Sequence, residues 1–125
     1  MHRFSLVALL LLMNAPATAE QLTIRCNREG AYNFGTFDTE ANRMIWEVIG
    51  GSSFRGQIKR VTDREIEFVL LFPGRMQTSL YYMRNEARIE VQDSNGRSVT
   101  AENCVAWPLR DVLGKWDNWG PIPLK

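Results

Sequence analysis

The 125-residue sequence contains a single histidine, His2, and only two cysteines. So little histidine argues against Ser-His-Asp and Cys-His catalytic groups and against zinc sites built from imidazole nitrogens. The sequence also lacks an acidic calcium loop of the EF-hand type and a glycine-rich phosphate-binding motif. We therefore predict no metal and no cofactor, and we expect that the protein is not an enzyme.

An excess of charge of either sign is also missing. Lys and Arg number 15 against 14 Asp and Glu, and opposite charges alternate, as in Asp63-Arg64-Glu65. A near-neutral chain without basic runs has no electrostatic reason to bind nucleic acid or an anionic membrane surface. The sequence predicts no nucleic-acid partner.

The N terminus has the pattern of a secretory signal peptide. Met1-His2-Arg3 is a short cationic start, the next ten residues (FSLVALLLLM) are predominantly apolar, and Ala17 and Ala19 form an A-x-A cleavage site. The apolar run is too short for a transmembrane helix, which needs about 20 residues. We predict that residues 1–19 are removed, and that the mature protein is secreted or periplasmic, without a transmembrane segment and without histidine.

The two cysteines, Cys26 and Cys104, lie near opposite ends of the predicted mature domain. In an oxidising compartment such a pair predicts a structural disulfide. The bond would close a loop of almost eighty residues. In the chain-entropy model this restricts the unfolded state and raises the free energy of unfolding by about 4–5 kcal/mol. A reactive thiol would normally have a Cys-x-x-Cys partner or a histidine that lowers its pKa, and the mature chain has neither.

Residues 20–104 read as short β-strands with no sustained helical spacing. The segment EIEFVLLF places Ile66 and Phe68 on one face, and Asn95-Gly96 is the strongest hairpin signal in the chain. Consecutive strands joined by short turns must be antiparallel. We predict an all-β domain: an up-and-down meander of about eight short strands that forms a small barrel or partly closed sheet, lipocalin-like in shape. The alternative is a two-sheet sandwich of Greek-key type.

Residues 105–125 form a tail rich in tryptophan and proline. Pro108 at a first helical position predicts one or two helical turns over 109–113, followed by irregular chain after Gly114. Tryptophan dominates interface hot spots, so the tail is a candidate partner-binding surface. Alternatively, the tail packs back over an open end of the sheet, because large apolar side chains are seldom left in water. The tryptophans concerned are Trp107, Trp116 and Trp119.

Carboxylates are the remaining candidates for chemistry. Glu47 lies in the bulky apolar run RMIWEVI, and facing inward it would be a buried acid with a perturbed pKa. Strand alternation groups Glu47 with Ile45 and Ile49 and leaves Trp46 on the other face, and either face could be inside. Glu65 and Glu67 share one side of a strand, where they could act as a glycosidase pair or form a solvent face.

The order of signal, early cysteine, antiparallel strands and late cysteine is similar to that of small periplasmic β-barrel inhibitors of lysozyme. This resemblance covers architecture only and assigns no residue. Gly114-Lys115-Trp116 spells the G-x-W of lipocalins, but it lies after the last predicted strand instead of opening the first.

We expect a non-catalytic, exported module that binds a protein or associates with the cell envelope. The first alternative is a lipocalin-like carrier of a small apolar ligand, although the short strands and bulky aromatic residues favour a barrel filled by side chains. The second alternative is a carboxylate-dependent glycan hydrolase.

Overall fold

The computed structural model describes residues 19–72, 74 and 76–117. The predicted signal peptide, except Ala19, and Trp119 lie outside the described residues. Eight strands and one helical turn follow in chain order: β1 Gln21–Arg28, β2 Ala31–Asp38, β3 Arg43–Val48, β4 Ser53–Val61, β5 Glu65–Leu70, β6 Ser79–Met83, β7 Arg88–Asp93, β8 Gly96–Trp107 and α1 Gly114–Asp117.

The strands form one closed antiparallel barrel. Each strand pairs with the next in sequence, and β8 pairs with β1 to close the ring. The prediction of an all-β, up-and-down barrel is confirmed, and the two-sheet sandwich is wrong. Closure satisfies the backbone hydrogen bonds of β1 and β8, which would otherwise be sheet edges.

The hairpin predicted at Asn95-Gly96 joins β7 to β8 through the two residues Ser94 and Asn95. Asp93 and Gly96 occupy the first and fourth turn positions, which those residue types favour, and Gly96 has a φ of 116°. The Ser98 hydroxyl and the Asn95 N–H each donate to the Asp93 carboxylate at 2.8 Å. These two hydrogen bonds lower the pKa of Asp93.

The disulfide lies at the closing seam of the barrel. Cys26 of β1 and Cys104 of β8 are bonded, with their Cα atoms 4.0 Å apart. The register between the two strands shifts at this point, and Asn103 takes a left-handed backbone conformation with φ 52°. This bulge allows both cysteines to enter the core, where they are buried. The predicted pairing is confirmed, and it is consistent with an oxidising, extracellular or periplasmic location.

Side chains on the inner face fill much of the barrel. Phe37 is fully buried and contacts Phe68 edge-to-face, with ring centroids 5.3 Å apart, and Tyr82 in a stacked arrangement at 6.0 Å. Trp46 stacks on Phe68 at 6.4 Å. Gly35 faces Trp46 closely, because a Cβ at that position would lie 3.0 Å from the indole ring. The predicted filling of the interior therefore holds around Phe37.

The chain after Cys104 differs from the prediction. Strand β8 continues to Trp107, and residues 111–113 form a turn in place of the expected helix, so that Gly114 begins the helical turn α1 instead of ending one. The physical reason lies in tertiary contacts, since Trp107 still pairs with Thr23 in the β1–β8 ladder and Val112 and Leu113 are buried. The Arg110 N–H also donates to the Thr23 side-chain oxygen at 3.0 Å.

The only helix in the described part of the chain is one turn long. It is therefore far shorter than a bilayer-crossing helix.

Candidate functional site

Glu47 lies on the outer face of β3, together with Ile45, while Met44 and Trp46 point into the core. It is covered by the tail and binds Arg110 through two hydrogen bonds, from Nε to Oε1 at 2.7 Å and from Nη2 to Oε2 at 3.1 Å. This hydrogen bonding raises the pKa of Arg110. Glu47 is thus a partly covered acid that holds the tail in place.

The tail is fixed to the barrel by further contacts around Arg110. The Arg110 guanidinium lies 4.5 Å from the centre of the Phe34 ring. The Trp116 indole N–H donates to the Gly56 carbonyl at 3.2 Å, and Val112 is buried. We expected the tail either to pack on the domain or to extend from it, with an open end of the sheet as the place of packing. Its described part packs on the outer wall of the barrel.

We expect the Glu47–Arg110 pair to be worth about 1 kcal/mol, because the pair is bidentate but Arg110 remains partly exposed. A double-mutant cycle with Glu47→Gln and Arg110→Met, measured by urea unfolding, gives this coupling energy. Hydrogen exchange at Val112 should quicken in each single variant while exchange at the core residue Ile66 is unchanged. Unchanged exchange at Val112 would show that the ion pair does not hold the tail.

Glu65 and Glu67 lie on the outer wall of β5, as alternation favoured. Arg60 contacts both of them, at 2.6 Å and 3.5 Å, and Arg97 contacts Glu65 at 3.0 Å. The hydrogen bond from Arg97 to Glu65 raises the pKa of Arg97. Both carboxylates thus belong to an ion-pair network on the outer wall. Neither lines the large cavity at either end of the barrel.

A second outer surface combines aromatic rings with an arginine. The Arg25 guanidinium lies between two rings, 4.3 Å from the centroid of Tyr32 and 4.5 Å from that of Trp107. The Trp107 ring also contacts Phe34, with centroids 5.7 Å apart. Arg25, Tyr32, Phe34 and Trp107 come from β1, β2 and β8 and form what we call the arginine–aromatic patch. Tyr32 is 46% exposed and Trp107 is 38% exposed.

Arg25 contacts no carboxylate among the described residues, although it lies in the middle of strand β1. Its Nε atom is buried and has no hydrogen-bond acceptor among those residues. By contrast, a carboxylate lies within ion-pair distance of each of Arg43, Arg60, Arg84, Arg88, Arg97 and Arg110. The two rings hold Arg25 in place without neutralising its charge.

Two larger cavities lie at opposite ends of the barrel. One, of about 890 Å³, is an open depression with mixed lining that includes Glu20, Arg84 and Trp107. The other, of about 310 Å³, opens at the end where β5 leads into β6, and we call it the cup. Its walls carry inward-facing side chains of five strands: Trp46, Phe68, Leu70, Leu80, Ile89, Val91 and Ala101. The interior is therefore filled around Phe37, and the cup is an open depression above Trp46 and Phe68 whose partly exposed walls are Leu70, Leu80 and Val91.

The described residues contain no cluster of three or more His, Cys, Asp or Glu that could hold a metal ion. Of the predicted partner-binding residues, Trp107 belongs to the arginine–aromatic patch and Trp116 packs on the barrel. The sequence did not predict a role for Arg25 and Tyr32 of the patch, or for Arg28, which lies at the end of β1 and lines the cup. Strand alternation predicts that Arg25 points outward. That Arg25 has no acidic partner among the described residues depends on which side chains β2 and β8 place beside it, and the sequence does not give this.

Comparison with protein-family models, curated proteins and solved structures found no match.

Proposed function

We propose that this protein is an exported, non-catalytic binding module that docks a protein partner on the arginine–aromatic patch. The predicted signal peptide and the disulfide support export. The carboxylates that sequence reasoning considered for hydrolysis, Glu65 and Glu67, are engaged by arginines.

The observation that carries the proposal is the state of Arg25. A guanidinium with no acidic neighbour among the described residues retains N–H donors on its two Nη atoms that can bind an anion, whereas the Nε atom is buried and out of a partner's reach. The flanking rings of Tyr32 and Trp107 restrict its rotamers, so little additional order is lost when a partner binds. Tyrosine, tryptophan and arginine are also the residue types that dominate interface hot spots.

The surroundings of Arg25 indicate the chemistry of the partner. Val105 pairs with Arg25 in the β1–β8 register and is 41% exposed, and Leu109 is 53% exposed. These residues add exposed apolar surface beside the patch. Contiguous exposed apolar surface is typical of interaction sites. The partner is expected to present a carboxylate to Arg25, with apolar side chains on either side of it.

Site-specific photo-cross-linking in cells that export the protein tests this proposal. A photoreactive phenylalanine analogue at position 32 should cross-link a defined partner. The same analogue at Gln57, an exposed position on β4, should not. Equal cross-linking at both positions, or none at position 32, would contradict docking on this patch.

Charge variants of the captured complex then test Arg25 itself. Arg25→Glu should weaken binding by roughly 30-fold or more, because hot-spot truncations cost about 2 kcal/mol and the new charge repels a carboxylate. Arg25→Lys keeps the charge and should retain part of the affinity. Thermal unfolding of each variant separates lost binding from lost folding. If Arg25→Glu binds as well as the parent, the partner does not use this charge.

A further inference from the structure

The cup is a second cavity-lined region, separate from the arginine–aromatic patch. It lies inside the barrel at the end formed by the β5–β6 connection, whereas the arginine–aromatic patch lies on the outer wall. Trp46 and Phe68 form its floor, and Leu80 and Val91 are partly exposed on its walls. Its volume of about 310 Å³ is at the small end of the range for small-molecule sites, roughly 300–1,000 Å³.

The volume and lining of the cup favour one unbranched apolar chain. A volume of 310 Å³ is the space of about ten water molecules at roughly 30 Å³ each. The walls are built from aliphatic and aromatic side chains, which gain free energy when they displace water against an apolar ligand. A flexible chain of medium length therefore suits the cup better than a rigid polycyclic molecule.

The polar side chains of the cup indicate which charge the polar head group of the ligand carries. Arg28, Thr78 and Thr100 are the polar side chains among the described residues that line it, and no carboxylate does. Arg28 is exposed at the end of β1 and forms no ion pair with another described residue. Arg28 is thus the one charged side chain among the described residues that line the cup, and a ligand with a negative head would meet it there. The carboxylates of Glu29 and Glu102 line the adjoining depression, on the other side of Arg28 and Thr100.

We propose that the cup binds an unbranched monocarboxylate of medium chain length, with its apolar tail between Leu70, Leu80 and Val91 and its carboxylate at Arg28. The tail provides most of the affinity, because it leaves water, and the head sets the orientation. The arginine–aromatic patch takes no part in this site.

Calorimetric titration with hexanoate, octanoate and decanoate, each below its micelle concentration, tests the chain. The affinity should rise about fourfold for each added methylene until the cup is full, and the stoichiometry should be one to one. Octanol and octylamine test the head. Each should bind about two- to fivefold more weakly than octanoate, since an exposed ion pair contributes little. Absence of saturable octanoate binding, or a preference for octylamine, would overturn the proposal.

Variants then locate the site. Arg28→Gln should reduce octanoate affinity to that of octanol and leave octanol binding unchanged. Arg64→Gln is the matched control, because Arg64 lies in the exposed turn at the opposite end of the barrel. Val91→Phe should fill the cup and abolish binding of all chains. Octanoate binding that persists in Val91→Phe, or that falls equally in both arginine variants, would place the ligand elsewhere.

Methyl chemical shifts of the unmodified protein give a result that does not depend on whether a variant folds. Octanoate should shift the methyl resonances of Leu80, Ile89 and Val91 and leave those of Val105 and Val112 in place. Shifts confined to Val105 would instead assign octanoate to the outer wall and overturn the proposal.

Discussion

Replacing Cys26 and Cys104 together with alanine is expected to lower the free energy of unfolding by about 4–5 kcal/mol, measured by urea denaturation. The bond joins residues 78 positions apart and fastens β1 to β8, so its loss frees a large loop in the unfolded state. Domains of this size are stable by only about 5–15 kcal/mol, so the variant should unfold close to physiological temperature.

The reduced parent protein is the matched control for the double cysteine variant, because it loses the bond but keeps both sulfur atoms. Both should unfold at a similar urea concentration, and the reduced form should regain the full midpoint after reoxidation. A change below about 1 kcal/mol would mean that strand pairing alone holds the seam, in conflict with the chain-entropy account.

Replacing Phe37 with alanine should lower the free energy of unfolding by about 3–5 kcal/mol. The side chain is fully buried between Phe68 and Tyr82, so truncation removes apolar burial and leaves a cavity that close packing around it cannot fully close. The free energy is measured by urea denaturation. If its slope against urea concentration is the same as in the parent, the variant has lost stability and exposes the same amount of surface on unfolding.

Tyr32→Ala provides the comparison for Phe37→Ala, since it truncates an aromatic ring on the outer wall of the same strand. It should cost less than about 1 kcal/mol, because that ring is half exposed and its main contact is the stack on Arg25. If the two variants were equally destabilised, the packing around Phe37 would not be the principal core of the barrel.

The two proposed sites are physically separate, and this has a practical consequence. Arg25 and Arg28 both belong to β1, but Arg25 points to the outer wall and Arg28 lies at the mouth of the cup. A variant at Arg25 should therefore leave octanoate binding intact, and a variant at Arg28 should leave the partner cross-link intact. Failure of one proposal does not affect the other.

Local sequence determined the strands of this protein, the antiparallel order and the disulfide. Alternation identified the inward residues of β5, because side chains point to opposite faces with a period of two. The pair Cys26 and Cys104 required no geometry, since only one pairing exists within the chain. The Asn95-Gly96 pair predicted the β7–β8 hairpin, and the structure places its two loop residues one position earlier, at Ser94 and Asn95.

Only the tertiary structure decided the role of Glu47, the path of the tail and the location of both proposed sites. Glu47 binds Arg110, which lies 63 residues away, and no local pattern reveals a partner at that distance. The same is true of Arg25, whose neighbouring rings come from two other strands. The cup exists because the rings around Phe37 fill one part of the interior and leave another open. Such properties depend on which side chains meet across the closed barrel, and that is set by register and packing, not by local sequence.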